Sequence, residues 1–389
     1  MYPMVALGDV TNIISGSTPS TSNETYWGNN YFWITPADIN EHTGKFISTT
    51  AKMITQKAVD KCNLKKLPIG SVLLSSRAPI GKVTINQNEM YCNQGFKCFV
   101  CDNKLIDNNF LYYFLKKNTD MLNNLGRGAT FKEISKSIVS EIHIPKPTIT
   151  TQKKIAAILD QAQSLIDCRK QQITKLDQLA QSTFLEMFGD PITNPMGWES
   201  IPLGKLMTIV RGGSPRPIDE YLNGTIPWIK ISDGTTEDSM YISQTKQHII
   251  EKGLNKTRVV NPDDVIFANC GVSLGFARIM KIQGCIHDGW LAFKDISPSL
   301  NKIFLLKLIN LQTAYLRSIA PDGTQPNLNT TIMKAHIIML PPLSRQTQFA
   351  LIIEAIEAQK AQLKQSLVQL ETQFNALMQR AFNGELIPE

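Results

Sequence analysis

The sequence predicts an α+β protein made of two similar globules, each followed by a long helix, with the two helices paired as an antiparallel coiled coil. Three observations carry this reading. The chain repeats itself at a nearly constant offset, each copy opens on short strand-like runs, and each copy closes on a long stretch without Pro or Gly.

The repeat comes first because it organises everything else. Leu7-Gly8 and Gly16-Ser17-Thr18-Pro19 return as Leu203-Gly204 and Gly212-Gly213-Ser214-Pro215, offset by 196. Trp33-Ile34 with Asp38 returns as Trp228-Ile229 with Asp233, offset by 195. Gly70–Leu74 is answered by Asp263–Phe267, and Gly81 and Gly95 by Gly275 and Gly289. Ile144-Pro145, Gln152 and Ala156 return as Leu340-Pro341, Gln346 and Ala350. Offsets this steady along the whole chain mark a tandem duplication.

Within each copy the first part, 1–149 and 190–342, holds β-branched and aromatic runs broken by Gly, Pro, Asn and Asp. Tyr31–Thr35, Ser71–Ser75, Lys97–Cys101 and Ile337–Leu340 read as strands, and Phe110–Lys117 and Ile303–Ile309 as helices. The second part, 150–189 and 343–389, reads as a long helix and, in the second copy, a short tail. Thr150 or Thr151 and Ser344 are the expected N-caps, and Gly189 and Gly384 the expected stops.

A seven-residue beat runs through both helices. In the first it places Leu159, Ala162, Ile166, Arg169, Ile173, Leu176, Ala180, Thr183 and Met187 on one seam. In the second it places Ile353, Ile356, Lys360, Leu363, Leu367, Leu370, Phe374, Leu377 and Ala381 there. Apolar residues recurring every three and four positions are the mark of a coiled-coil seam, with Arg169, Thr183 and Lys360 as its polar exceptions. Antiparallel pairing would set the globules at the two ends of a rod about 58 Å long.

Composition excludes several classes. A chain of 389 residues with 42% hydrophobic and 19% charged side chains is globular, too long for one ordinary core, and not disordered. No apolar run approaches the ~20 residues of a membrane span, and Met1–Val5 lacks the layout of a signal peptide. With seven irregularly spaced cysteines, the expectation is a cytoplasmic protein with reduced thiols and no membrane partner. The net charge of +7 resides mainly on the globules. Residues 1–149 hold 16 Lys and Arg against 11 Asp and Glu, and residues 190–342 hold 15 against 13. That excess suits backbone phosphates.

Catalytic and cofactor signatures are missing from the sequence. Gly126-Arg127-Gly128-Ala129-Thr130 is too compact for a phosphate-binding loop, and no Asn-Pro-Pro-Tyr-like methyltransferase motif is found. Cys98-Phe99-Val100-Cys101 is a single CxxC inside an apolar run. It reads as core, because a zinc site needs four ligands. No cofactor and no metal are expected.

The ordered segments Leu7–Val10, Gly16–Pro19, Tyr31–Ile34 and Gly70–Ser76 resemble those of type I restriction–modification specificity subunits. So does the junction from Ile144–Pro147 to Gln152–Ala156, and still more Leu340–Leu343 with Gln346 and Phe349-Ala350. In the first copy Thr148–Thr151 stands where that family has an acidic stretch. The resemblance implies two target-recognition domains joined by coiled-coil spacers, in a non-catalytic subunit. It further implies that such a subunit reads a bipartite, asymmetric double-stranded DNA target and holds two methyltransferase subunits and, in the full complex, restriction and translocation subunits. Two other readings compete: the recognition subunit of a different modification or phage-defence complex, and a scaffold of duplicated modules that binds no DNA. Salt-dependent retention on DNA separates the last from the others.

Candidate DNA contacts lie in loops equivalent between the copies. Ser17 and Thr18 in the first, and Arg211, Ser214 and Arg216 in the second, offer hydroxyls and cations for phosphate. An ordinary Gly-Pro turn is the competing reading. Asn93 and Gln94, matched by His287 and Asp288, carry groups that pair with adenine or cytosine edges, although turn chemistry also explains them. Arg127, Thr130 and Lys132, matched by Thr324, Gln325 and Asn327, form polar loops before each globule's last strand. Ser76, Arg77 and Lys82, with Asn269 and Ser273, are weaker candidates. Trp33 and Trp228 read as core residues rather than stacking platforms.

Overall fold

In the first copy the β-branched and aromatic runs become ten strands: Met4–Ala6 (β1), Thr11–Ser15 (β2), Trp27–Ile34 (β3), Phe46–Ile47 (β4), Met53–Ile54 (β5), Val72–Ser75 (β6), Val83–Asn86 (β7), Met90–Cys92 (β8), Phe96–Cys101 (β9) and His143–Pro145 (β10). They form a five-stranded sheet ordered β2-β9-β6-β7-β4, a three-stranded sheet β5-β3-β8, and the antiparallel pair β1-β10. The computed structural model describes residues 2–40, 43–126, 132–235, 239–271, 273–321 and 326–388.

The second copy repeats this plan with Ser200–Pro202 (β11), Thr208–Arg211 (β12), Leu222–Ile229 (β13), Tyr241–Ile242 (β14), Gln247–Ile249 (β15), Arg258–Val260 (β16), Val265–Ala268 (β17), Ala277–Met280 (β18), Gly284–Ile286 (β19), Trp290–Lys294 (β20) and Ile337–Met339 (β21). Its sheets are β12-β20-β17-β18-β14, β15-β13-β19-β16 and β11-β21. The added strand β16 has a reduced counterpart in the first copy, where a single bridge joins Leu67 to Met90. Even the parallel pairs correspond: β3 with β8 matches β13 with β19, and β4 with β7 matches β14 with β18. The central strands β6 and β17 are buried along their whole length. Both faces of each central strand are covered, so the apolar run is continuous rather than alternating.

The long helices run from Ile149 to Phe188 and from Leu343 to Asn383. Both begin ahead of the caps expected from sequence. Thr150, Thr151 and Ser344 therefore lie in the first turn, and Thr148 Oγ1 accepts the Thr151 N–H at 3.4 Å. Their ends fall where expected, at Gly189 and Gly384, whose φ of +77° and +80° is the left-handed conformation that stops a helix.

Contacts divide the chain into two units. One comprises 1–170 and 365–389, the other 171–364, so each unit owns one globule and half of each long helix. Within the first unit Leu159 and Ile166 on one helix and Phe374 on the other are buried. Ala162, Leu367, Leu370 and Leu377 are half-buried against the same core. Lys170 reaches Glu371 at 3.0 Å. Within the second unit Ala180, Ile353 and Ile356 are buried, and Leu176, Ile173 and Leu363 are half-buried. Lys360, 3% exposed, is ion-paired to Asp177. Partners that rise on one helix and fall on the other make the pairing antiparallel in each unit.

One detail departs from the heptad. At the end of the first helix the fully buried residues are Phe184 and Phe188, one place beyond the expected Thr183 and Met187. There the helix faces the helix Lys302–Leu311 of the second globule as well as its partner, so the apolar face widens beyond a two-stranded seam.

The second unit also buries His336 (8% exposed), and this burial holds its pKa below the ordinary 6.5. Gln312 donates to Pro191 O, which leaves its Oε1 to accept from His336 Nε2–H at 2.9 Å. The bond keeps Nε2 as the donor, and burial opposes a second proton on Nδ1. The unfolded chain therefore binds a proton that the folded unit refuses, and stability falls as pH drops below about 6.5 toward the lowered value. Melting curves between pH 7.5 and 5 should show a steeper decline for the unaltered chain than for His336→Gln. Parallel curves would remove His336 from the account.

Candidate nucleic-acid interface

In the first unit four sequence segments meet through backbone hydrogen bonds. The turn after β2 is tied to the β8–β9 loop by Ser17 N–H to Cys92 O at 3.0 Å. Gly16 is obligatory there, because a Cβ would stand 1.8 Å from Asn93 O. The β8–β9 loop is tied to the end of β6 by Ser76 N–H to Gly95 O at 2.7 Å. That strand end is tied to the segment before the last strand by Ile134 N–H to Ser76 O at 2.9 Å. Ser17, Thr18, Asn93, Gln94, Arg77 and Lys132 thus belong to one contiguous patch. Thr18 Oγ1 donates to Gln94 Oε1, Asn93 Oδ1 accepts from Gly95 N–H at 2.9 Å, and Lys132 is exposed.

An ion cluster underlies this patch. Lys97, buried within β9, reaches Glu133 at 3.2 Å and Ser76 Oγ at 3.3 Å, and Arg77 reaches Glu133 at 2.9 Å. Burial on its own would raise the Glu133 carboxyl, but the hydrogen bonds and charges of Lys97 and Arg77 carry it below the ordinary carboxylate value. Neither Lys97 nor Glu133 was among the sequence candidates. The available signal was a lysine in the otherwise apolar run Phe96–Val100.

The second unit assembles the equivalent segments. Gly213 N–H bonds Ile286 O at 3.0 Å, Asn269 N–H bonds Gly289 O at 3.0 Å, and Leu328 N–H bonds Asn269 O at 2.8 Å. Arg211 Nε donates to Asp288 O at 3.0 Å, and Ser214 Oγ to Asp288 Oδ1 at 2.8 Å. Arg216, 82% exposed, lies 3.9 Å from Asp288 Oδ2. Burial lowers the His287 pKa against the opposing pull of Asp288, and Gly289 N–H donates to His287 Nδ1 at 3.0 Å. His287 Nδ1 also lies 3.0 Å from Asp288 Oδ1.

Several candidates change role. Ser76 and Asn269 are fully buried at the ends of central strands; Ser76 faces Lys97, and Asn269 donates to Asn327 Oδ1 at 3.0 Å. Lys82 Nζ is held by the carbonyls of Pro36 at 2.9 Å and Ile39 at 2.5 Å. These three residues support the surface instead of presenting themselves on it. Asp288 is already an acceptor for Ser214, so a base would compete with that hydroxyl. Asn327 and Ser273 are half-buried. Arg127, Thr130, Thr324 and Gln325 lie outside the described residues. Trp33 and Trp228 are core residues, 4% and 2% exposed, and Cys98 is buried in β9. Among the described residues no helix is long and apolar enough to cross a membrane.

Comparison with known proteins agrees with this architecture. The family model described as the type I restriction modification DNA specificity domain matches residues 2–178 and again 195–372. The MjaIX specificity subunit of Methanocaldococcus jannaschii is 29% identical over 97% of this chain and 92% of its own. The StySPI specificity subunit of Salmonella potsdam is 26% identical over 97% of this chain and 87% of its own. A solved type I restriction–modification structure superimposes with a TM-score of 0.65 at 19% identity, covering 99% of this chain and 98% of that one. The S subunit from M. genitalium superimposes at 0.58 with 16% identity, covering 98% and 96%. With both halves of its duplication matched, the chain belongs to the type I restriction–modification DNA specificity family.

Proposed function

We propose that this chain is the non-catalytic specificity subunit of a type I restriction–modification complex, and that it reads a bipartite, asymmetric DNA target, one half-site per unit. One observation carries the reading: the same four segments converge in both units on a repeated scaffold, but with different polar side chains. Equivalent geometry with unequal chemistry suits two different half-sites. In this reading 1–149 and 190–342 are the target-recognition domains. The stretches 150–189 and 343–389 are the spacers that carry methyltransferase subunits and, in the full complex, restriction subunits, in the cytoplasm. Ser17, Thr18, Arg77, Asn93, Gln94 and Lys132 in one unit, and Arg211, Ser214, Arg216 and His287 in the other, are the described residues placed to meet DNA.

The experiment is selection from a random duplex pool with the full chain and with its Arg211→Ala/Arg216→Ala variant. The unaltered chain should enrich two different short motifs at a set spacing. The variant should bind more weakly, with a salt dependence shallower by about two counterions, while the motif read by the first unit is unchanged. Retention that does not depend on salt, or loss of both motifs together, would refute separate readout.

A further inference from the structure

The second unit contains a cleft beside the turn that follows β12. It measures about 720 Å³ and is lined by Pro215, Arg216, Pro217, Ile218, Trp228 and Gln247, among others. In its wall the Trp228 indole N–H and the Gln247 Oε1 are both buried without a hydrogen-bond partner. The two residues are direct cross-strand neighbours on β13 and β15, so an unused donor stands beside an unused acceptor on one sheet face. Buried polar groups are nearly always paired, and a donor and an acceptor left together at a cleft point to a ligand that supplies both partners.

The first unit shows what closure looks like. Its equivalent indole, Trp33, donates to Ser17 O at 3.3 Å. The counterpart of Ser17 is Gly213, whose N–H makes the equivalent bond to Ile286 O, yet no carbonyl of that turn reaches Trp228. The connection is one residue shorter in the second copy: Trp33 is 17 positions after Gly16, and Trp228 is 16 positions after Gly212.

We propose that this cleft receives one nucleobase extruded from the DNA, with the Trp228 N–H and the Gln247 amide oxygen engaging its hydrogen-bonding edge. This rests on the proposed DNA-reading function and deepens it. Every base carries a donor close to an acceptor on its edge, and its flat faces suit walls made of Pro215, Pro217 and Ile218. A phosphate suits the cleft less well. Its cations, Arg216 and Lys230, are offset by Asp219 in the lining and by Asp288 beside Arg216, and one of the two unused groups is itself an acceptor. The edge of a stacked base pair does not enter a cavity, whereas an unstacked base does. Both atoms are inaccessible in the closed wall, so the lining opens on entry. Arg216, largely exposed at the mouth, is placed to hold the flanking phosphate.

The test uses the full chain with the duplex recovered by selection, substituted with 2-aminopurine at one position at a time across and beside the second unit's motif. Unstacking should raise the emission several-fold at a single position on binding. Gln247→Leu, which removes the acceptor at the sheet surface, should abolish that rise and weaken binding by roughly 10-fold without changing the salt slope. Trp228→Phe, checked for native circular dichroism, should do the same by removing only the N–H and part of the ring. Salt-dependent binding with no emission rise at any position would overturn the extruded base and leave the DNA-reading function standing. A Gln247→Leu effect confined to the salt slope would make the cleft a phosphate site. Absence of any DNA binding by the unaltered chain would bring down both.

Discussion

Replacing Gln346 by Leu is expected to destabilise the second unit by about 3–6 kcal/mol. Gln346 is fully buried at the start of the second long helix, and its amide makes three bonds. It donates to Ser299 O at 3.0 Å and to Pro341 O at 2.7 Å, and it accepts from Asn301 N–H at 2.8 Å. Asn301 in turn caps the core helix Lys302–Leu311 through Ile303 N–H at 2.9 Å. One side chain therefore fastens the start of the second long helix to the 299–301 turn, 45 residues away in sequence. Leucine fills the volume but strips the partners from Pro341 O, which is buried, and from Ser299 O and Asn301 N–H, which are partly buried, at about 1–3 kcal/mol for a group that water cannot reach and less for one that it can. For a unit of this size that corresponds to a fall of roughly 10 °C or more in Tm. Gln152 makes the same three bonds in the first unit, to Leu105 O, Pro147 O and Asp107 N–H, so Gln152→Leu should cost a similar amount there. Thermal and urea unfolding of both variants measure this. A shift of less than roughly 2 °C in either would show that the latch is not structural.

Phe349→Ala is expected to cost about 3–5 kcal/mol, the range for emptying a large core site. Phe349 is fully buried, with ring centroids 5.4 Å from both Phe184 and Phe188 and 6.5 Å from Phe304. Those four rings join the two long helices to the globule's helix within the second unit. Edge-to-face pairs add about 0.5–1.5 kcal/mol each beyond burial, so Phe349→Leu, which refills much of the space, should recover most but not all of the loss. Hydrogen exchange should show the first turns of the second long helix opening sooner in the alanine variant. A loss below about 1 kcal/mol in urea unfolding would mean that the cluster relaxes around the gap.

Much of the architecture is written in local pattern. The duplication was visible in Trp33 with Trp228 and in Gln152 with Gln346, and the helices in their period and their freedom from Pro and Gly. Helix ends were legible at Gly189 and Gly384 because a left-handed terminus favours glycine wherever it occurs. The seam was legible through Leu159, Ile166 and Phe374, since a helix shows its buried stripe in its own spacing.

What folding alone decided concerns groups brought together from far apart in the chain. Period-two alternation does not say which strand end lies at the centre of a sheet, so nothing in the sequence showed that Ser76 and Asn269 would be buried while Ser17 and Arg216 remained accessible. Lys97 and Glu133 are separated by 36 residues and become partners through the β6–β9 pairing together with the bridge of Arg77 to Glu133. The buried stripe shifts to Phe184 and Phe188 because a third helix packs there, a contact that the heptad does not encode. The division of both long helices between two units likewise comes from packing. Local pattern along the chain is enough to show that there are two copies and where their helices run. Tertiary structure decided which polar side chains each copy presents, because exposure depends on what covers a residue and the covering segments come from elsewhere in the chain.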